Sequence, residues 1–182
     1  MISMLRGVNV GGRNKISMEA LRGLCAALKL QDARTYVQSG NVVFRTIQQD
    51  PTRLAASLEN AIEKKLGFRP AVIVRTTSEL RSVIAKNPFS GRKDIHPGKL
   101  LVSFLADALT AEAKGNLRSI KADPEELRIA DRELYIYFPD GMGRSKFPWA
   151  KLDKIILTAS TGRNWNTVMK LLEMAEEMEN SV

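Results

Sequence analysis

Cysteine and histidine are almost missing from this chain: Cys25 and His96 are the sole representatives of each. That scarcity excludes an internal disulfide, a cysteine-based metal cage and paired-histidine chemistry, and neither metal nor cofactor is expected. Cys25 sits in the run Met18, Leu21, Leu24, Cys25, Leu28. This spacing fits one face of a helix, so the thiol reads as buried and structural. Aromatic residues make up only 6% of the chain, and the alternating aromatic core of RNA-recognition sheets is absent. No apolar run approaches the roughly 20 residues that a membrane-spanning helix requires. Residues 1–10 carry glycine and asparagine where a secretory signal needs an unbroken apolar segment. The expectation is a cytoplasmic protein with no membrane partner.

Paired carboxylates suited to acid–base chemistry are also lacking. Glu125 and Glu126 stand alone, and Glu173, Glu176, Glu177 and Glu179 belong to the outer face of a last helix. The lone His96, in Asp94-Ile95-His96-Pro97-Gly98, has no nucleophile beside it in sequence. Ser90-Gly91-Arg92-Lys93 has the spacing of a Ser-x-x-Lys motif but lies in a proline-flanked loop, so it reads as chance.

What the chain does have is positive charge and glycine. Of its net +8, residues 1–76 hold 12 Lys/Arg against 5 Asp/Glu, and residues 77–182 hold 16 against 15. The first half therefore meets an anionic partner if either half does; a solvated basic surface explains the same count. Two basic glycine-rich loops stand out, GVNVGGRNK over 7–15 and PDGMGRSK over 139–146. Each follows an apolar strand-like run and precedes a helical pattern. Glycines there let backbone N–H groups approach an anion, and Arg13, Lys15, Arg144 and Lys146 add charge-assisted donors. The first loop is a near miss to a P-loop, with Arg13 and Asn14 where lysine and a hydroxyl residue belong, so hydrolysis by that route is not expected. A tight turn needing glycine for its backbone angles explains the loop equally well.

The pattern predicts a strand over 2–5, a helix capped by Ser17 and running to 28, and strands over 34–38 and 42–45 around Ser39-Gly40-Asn41. Asp50-Pro51 opens a helix with Leu54, Leu58, Ile62 and Leu66 on one face, which Gly67 ends before a strand over 71–74. Thr76 and Glu79 have capping-box spacing for a helix over 77–86, closed by Asn87-Pro88. Beyond a loop over 89–98, the order of elements repeats. A strand over 100–105 precedes a helix capped by Thr110, then a hairpin over 127–130 and 134–138 around Asp131-Arg132. A helix through Trp149, Leu152, Ile155 and Ile156, a short segment over 158–161 and a last helix over 164–179 complete the chain. Two βαββαβ runs mark an α+β fold of two ferredoxin-like subdomains in tandem with an added C-terminal helix. The boundaries read as 1–76 for the first, 77–98 for the connection and 99–182 for the second.

LRGVNVGGRNKIS, the following LRGLCAALKLQDARTYVQSGNVVF, and the later PDGMGRSKF and TGRNWNTVMKL resemble the bacterial domain-of-unknown-function family 1697. The resemblance spans nearly the whole chain. It implies two ferredoxin-like subdomains, assigns no activity, and makes the start of this chain short for the family by a few residues.

Three functions remain open on these residues. The first is a non-enzymatic binder of a phosphate-bearing small molecule or nucleic acid. Arg6, Asn9, Gly11, Gly12, Arg13, Asn14 and Lys15 would form one part of its site, and Gly143, Arg144, Ser145, Lys146, Arg163 and Asn164 the other. The second is a small-molecule enzyme acting on an anionic substrate in a cleft between the subdomains, through Ser145, Lys146 or His96. The third is an interaction module whose loops are purely structural. Tyr36, Phe44 and Trp165 are the aromatic residues weighed for ligand contact, with packing the favoured role of Phe44 and anchoring that of Trp165.

Overall fold

Local capping chemistry sets where the helices begin. The computed structural model describes residues 1–181. In it Ser17 Oγ accepts from Ala20 N at 3.0 Å and opens α1 (Met18–Ala27). Asp50 accepts from Thr52 N and Arg53 N and opens α2 (Pro51–Leu66), with Pro51 supplying the preset φ of a first helical residue. Gly67 closes α2 at φ 76°, the left-handed conformation that glycine adopts without a side-chain penalty. Ahead of α3 (Thr77–Ala85), Thr76 N donates to Glu79 at 2.8 Å and Glu79 N donates to Thr76 Oγ1 at 3.0 Å, a reciprocal capping box.

The strands β1 (Ile2–Leu5), β2 (Gln31–Tyr36), β3 (Asn41–Arg45) and β4 (Val72–Arg75) form an antiparallel sheet in the order β2-β3-β1-β4. The second half repeats this plan. Its elements are β5 (Leu100–Leu105), α4 (Ala111–Arg118), β6 (Glu126–Ala130), β7 (Glu133–Tyr137), α5 (Trp149–Ile156) and β8 (Ser160–Asn164). They give a sheet in the order β6-β7-β5-β8. Both orders place the first and third strands of each half at the centre, the ferredoxin-like arrangement. The last helix, α6 (Trp165–Asn180), follows β8 directly.

Each sheet buries one face under its own two helices. In the first, Leu5, Val42, Phe44, Val72 and Val74 cluster with Leu21, Leu24 and Cys25 of α1 and Leu54, Leu58 and Ile62 of α2. In the second, Leu134, Ile136 and Phe138 cluster with Leu117, Leu152 and Ile156. The opposite faces are buried as well, through Ile2, Met4, Val43 and Ile73 in one sheet and Tyr135 in the other. Tyr135 donates its hydroxyl hydrogen to Val83 O at 2.7 Å. Burial on both faces explains why the strands read as apolar runs rather than as clean alternation.

Three features depart from the sequence pattern. β2 begins at Gln31 rather than at residue 34, with Asp32 at φ 53° and a register shift against β3. β8 extends through Arg163 and Asn164, which carry no apolar signal. By its contacts the chain divides into one unit of Met1–Ser82 with Met169–Val182 and another of Val83–Val168. The sequence boundaries assign the whole last helix to the second subdomain; its larger part groups with the first. An apolar helix face, here Leu171, Ala175 and Met178, records that it is covered but not by what. Among the described residues, no helix is long and apolar enough to cross a membrane.

Candidate functional site

The loop after β1 is a hairpin, and its glycines are accounted for by the turn. Val10 pairs antiparallel with Arg13, whose N–H donates to Val10 O at 3.1 Å. Between them Gly11 and Gly12 have φ of 57° and 75°, the two positive values that a type I′ turn demands. Asn9 and Asn14 are also left-handed, at φ 56° and 49°. Their side chains hold the loop. Asn9 Nδ2 donates to Ile16 O and to Gln38 O, each at 2.9 Å, and its Oδ1 accepts from Ile16 N at 2.9 Å. Asn14 Nδ2 donates to Gly7 O at 3.2 Å. The amides that the sequence offers to a ligand at Asn9 and Asn14 are thus engaged in the fold.

The cations differ from the asparagines. Arg13 and Lys15 are exposed, and neither side chain has a polar partner among the described residues. An open hollow of about 410 Å³ lies beside the hairpin, lined by Asn9, Gly12, Lys15, Ile16, Ser17 and Gln38. Its lining carries several donors. Lys15 supplies an ammonium, Gln38 a side-chain amide, and Gly12 a backbone N–H with no acceptor among the described residues. Ser17 Oγ accepts the α1 capping bond and keeps its own hydrogen to donate. Gln38 was not legible as a site residue, because it reaches the hairpin only through the Asn9 clip. Val10, 66% exposed, and Val37, 51% exposed, add an apolar margin to this region. Arg6 is exposed at the base of the loop, where its backbone N–H donates to Ala71 O at 2.8 Å.

In the second unit, residues 142–144 form a single tight helical turn after Gly141, which has φ 84°. Gly143, Arg144 and Lys146 are exposed there. Ser145 is committed to structure: Phe147 N donates to its Oγ at 2.9 Å, and the hydroxyl donates to Glu125. His96 Nδ1 accepts from Gly98 N at 3.1 Å and closes its own loop turn. Arg163 and Asn164 are both engaged by hydrogen bonds within the fold. Arg163 is 7% exposed; its Nη1 donates to Thr161 Oγ1 at 2.7 Å and Gly162 O at 2.8 Å, and burial lowers its guanidinium to about 10. Asn164 donates to Gly98 O at 2.8 Å and accepts from Asn166 N at 3.0 Å, capping α6. Phe44 is fully buried.

The sequence pattern places Trp149 with the apolar series of α5, yet the residue is 38% exposed. Its ring centroid lies 6.0 Å from that of Phe138 at 26° between planes, and 4.8 Å from that of Phe147 at 60°.

The family model described as "Protein of unknown function (DUF1697)" matches residues 1–135. Among solved structures, the chain is similar to the conserved bacterial protein SP0830 from Streptococcus pneumoniae. The TM-score is 0.74 at 21% identity, over 96% of this chain and 97% of that one. At that identity the likeness concerns the fold alone. No curated protein matches the chain at a significant level.

Proposed function

The chain belongs to that family of unknown function, and we propose that it binds a phosphate-bearing ligand, without chemistry, in the hollow beside the Val10–Arg13 hairpin. The observation that carries this reading is that Lys15, Gln38, Gly12 and Ser17, each with a hydrogen-bond donor to offer, line one open space. Phosphate oxygens accept several hydrogen bonds at once, and a cationic donor roughly doubles the strength of each bond it makes. A volume of about 410 Å³ falls within the range of small-molecule sites. Arg13 stands two residues from Lys15 and extends the cationic rim; Arg6 adds charge at the loop's base. The choice of glycine at 11 and 12 is no argument for a ligand, since the turn requires both residues with or without one.

A thermal-shift series with inorganic pyrophosphate and a nucleoside triphosphate tests the proposal. Both probes should raise the melting temperature of the native chain. The Arg13→Ala/Lys15→Ala variant should stay within about half a kcal/mol of it in stability, as exposed substitutions usually do, and should show no shift. Equal shifts in native and variant chains would remove the hollow as the site.

A further inference from the structure

We propose that Asn9 is the positioning residue of the hairpin hollow, an inference that rests on the phosphate-binding reading above. A primary amide has two N–H donors. Both of those on Asn9 are engaged, one by Ile16 O and one by Gln38 O, each at 2.9 Å. Its Oδ1 accepts from Ile16 N at 2.9 Å, and its backbone N–H donates to Asn14 O at 3.2 Å. Asn9 lines the hollow yet has no N–H left for an anion. Its contribution to binding runs through the residues that it holds.

The choice of residue supports this role. Asn9 has φ 56° and Gly11 has φ 57°, so glycine would meet the backbone requirement at residue 9 without a side-chain penalty. Asparagine tolerates the same region and adds a carboxamide. That carboxamide reaches chain segments 7 and 29 residues away. Ile16 is bonded at both its N–H and its C=O, and its side chain is buried. The flanking Lys15 and Ser17 therefore project from a fixed residue. Gln38 lies in the turn 37–40 between β2 and β3. That turn is tied at its ends, where Leu5 N donates to Gly40 O at 2.9 Å and Asn41 Nδ2 donates to Tyr36 O at 3.1 Å. Between those ties, Gln38 is held by Asn9. One amide thus fixes the Gln38 wall of the hollow against the Lys15–Ser17 wall, so that donors from both segments meet one anion with little left to order on binding.

Calorimetric titration of the whole protein with inorganic pyrophosphate tests the assignment, through a double-mutant cycle of Asn9→Gly and Gln38→Ala. Asn9→Gly keeps the left-handed backbone and should weaken binding by about 10-fold or more, as expected when a hydrogen bond to a charged group is lost. Gln38→Ala should weaken it by a similar factor. The double variant should lose no more than the larger single loss, because an unpositioned Gln38 has little left to contribute. Circular dichroism verifies each fold. Should Asn9→Gly not fold, Asn9→Asp keeps the acceptor for Ile16 N while removing both donors. It should likewise leave Gln38→Ala without further effect. A merely structural Asn9 would lower the melting temperature and leave the pyrophosphate affinity of the folded protein unchanged. That outcome, or losses that multiply in the double variant, would overturn the positioning role and leave the hollow standing as the site. No saturable binding to the native chain would remove both together.

Discussion

Arg75 and Arg163 occupy the same register position in their respective sheets. Arg75 on β4 pairs with Ile2 of β1, and Arg163 on β8 pairs with Val102 of β5. In both first strands a buried serine follows, Ser3 and Ser103. Each guanidinium donates through Nη1 to the carbonyl of the residue before it, Val74 at 3.1 Å and Gly162 at 2.8 Å. The repeated order of elements thus extends to a repeated buried arginine.

Alanine at either position should destabilise the fold by about 2–5 kcal/mol, since it empties a large buried volume. Urea denaturation reads this as a lower midpoint at an unchanged m-value. Lysine should not restore stability, because it lacks the planar fork that reaches neighbouring carbonyls. A neutral alanine at Arg163 would mean that its burial contributes nothing.

Gly40 and Gly11 are both left-handed but should answer differently to substitution. A Cβ at Gly40 would lie 2.7 Å from Leu5 Cβ and 2.7 Å from Val8 Cγ2, whereas one at Gly11 meets nothing within 4 Å. Gly11→Asn, a residue favoured in type I′ turns, should leave thermal stability almost unchanged. Gly40→Ala adds a core clash to the backbone cost of about 1–2 kcal/mol and should lower the melting temperature markedly more. Similar losses at both positions would contradict the contrast.

Asn9→Ala should cost about 1–3 kcal/mol, because it leaves the Ile16 amide and the Ile16 and Gln38 carbonyls without their partner. It should also loosen the hairpin, seen as faster hydrogen exchange at Arg13 and Ile16. Unchanged exchange there would show that the backbone turn holds the loop unaided.

Cys25 is fully buried, and burial pushes its thiol up to about 11 from an ordinary 9.0. A thiol raised in the folded state holds its proton where the unfolded chain has lost it. Stability should therefore fall as pH rises from about 9 towards 11. A thiol reagent at about pH 8 should react only after denaturant is added. Rapid reaction in the native protein would contradict this burial.

The legible parts of the fold are those with local chemistry. Ser17, Asp50-Pro51, Gly67, the Thr76–Glu79 pair and Thr110 each set a helix boundary within a few residues of chain, so a single sequence displays them. Gln31-Asp32 and Gly162-Arg163-Asn164 were not legible as strand, because polar residues held by a register shift or a buried guanidinium lack the apolar alternation of a strand. Of the proposed site, the exposed charge of Arg13 and Lys15 was legible, because residue type alone signals it. Asn9 and Asn14 read as ligand contacts because nothing local reveals that their amides bridge to Ile16, Gln38 and Gly7. Trp149 hid within a helical apolar series, since spacing alone does not tell which apolar residue stays uncovered.

Amide chemical shifts of the isotopically labelled protein, followed through a titration with inorganic pyrophosphate, test the anion-binding reading most directly. Saturable shifts should concentrate on Gly12, Lys15 and Ser17 and on the Gln38 side-chain amide, and the Lys15→Ala variant should lose them. Shifts scattered over the exposed lysines and arginines, without saturation, would contradict a site in the hairpin hollow.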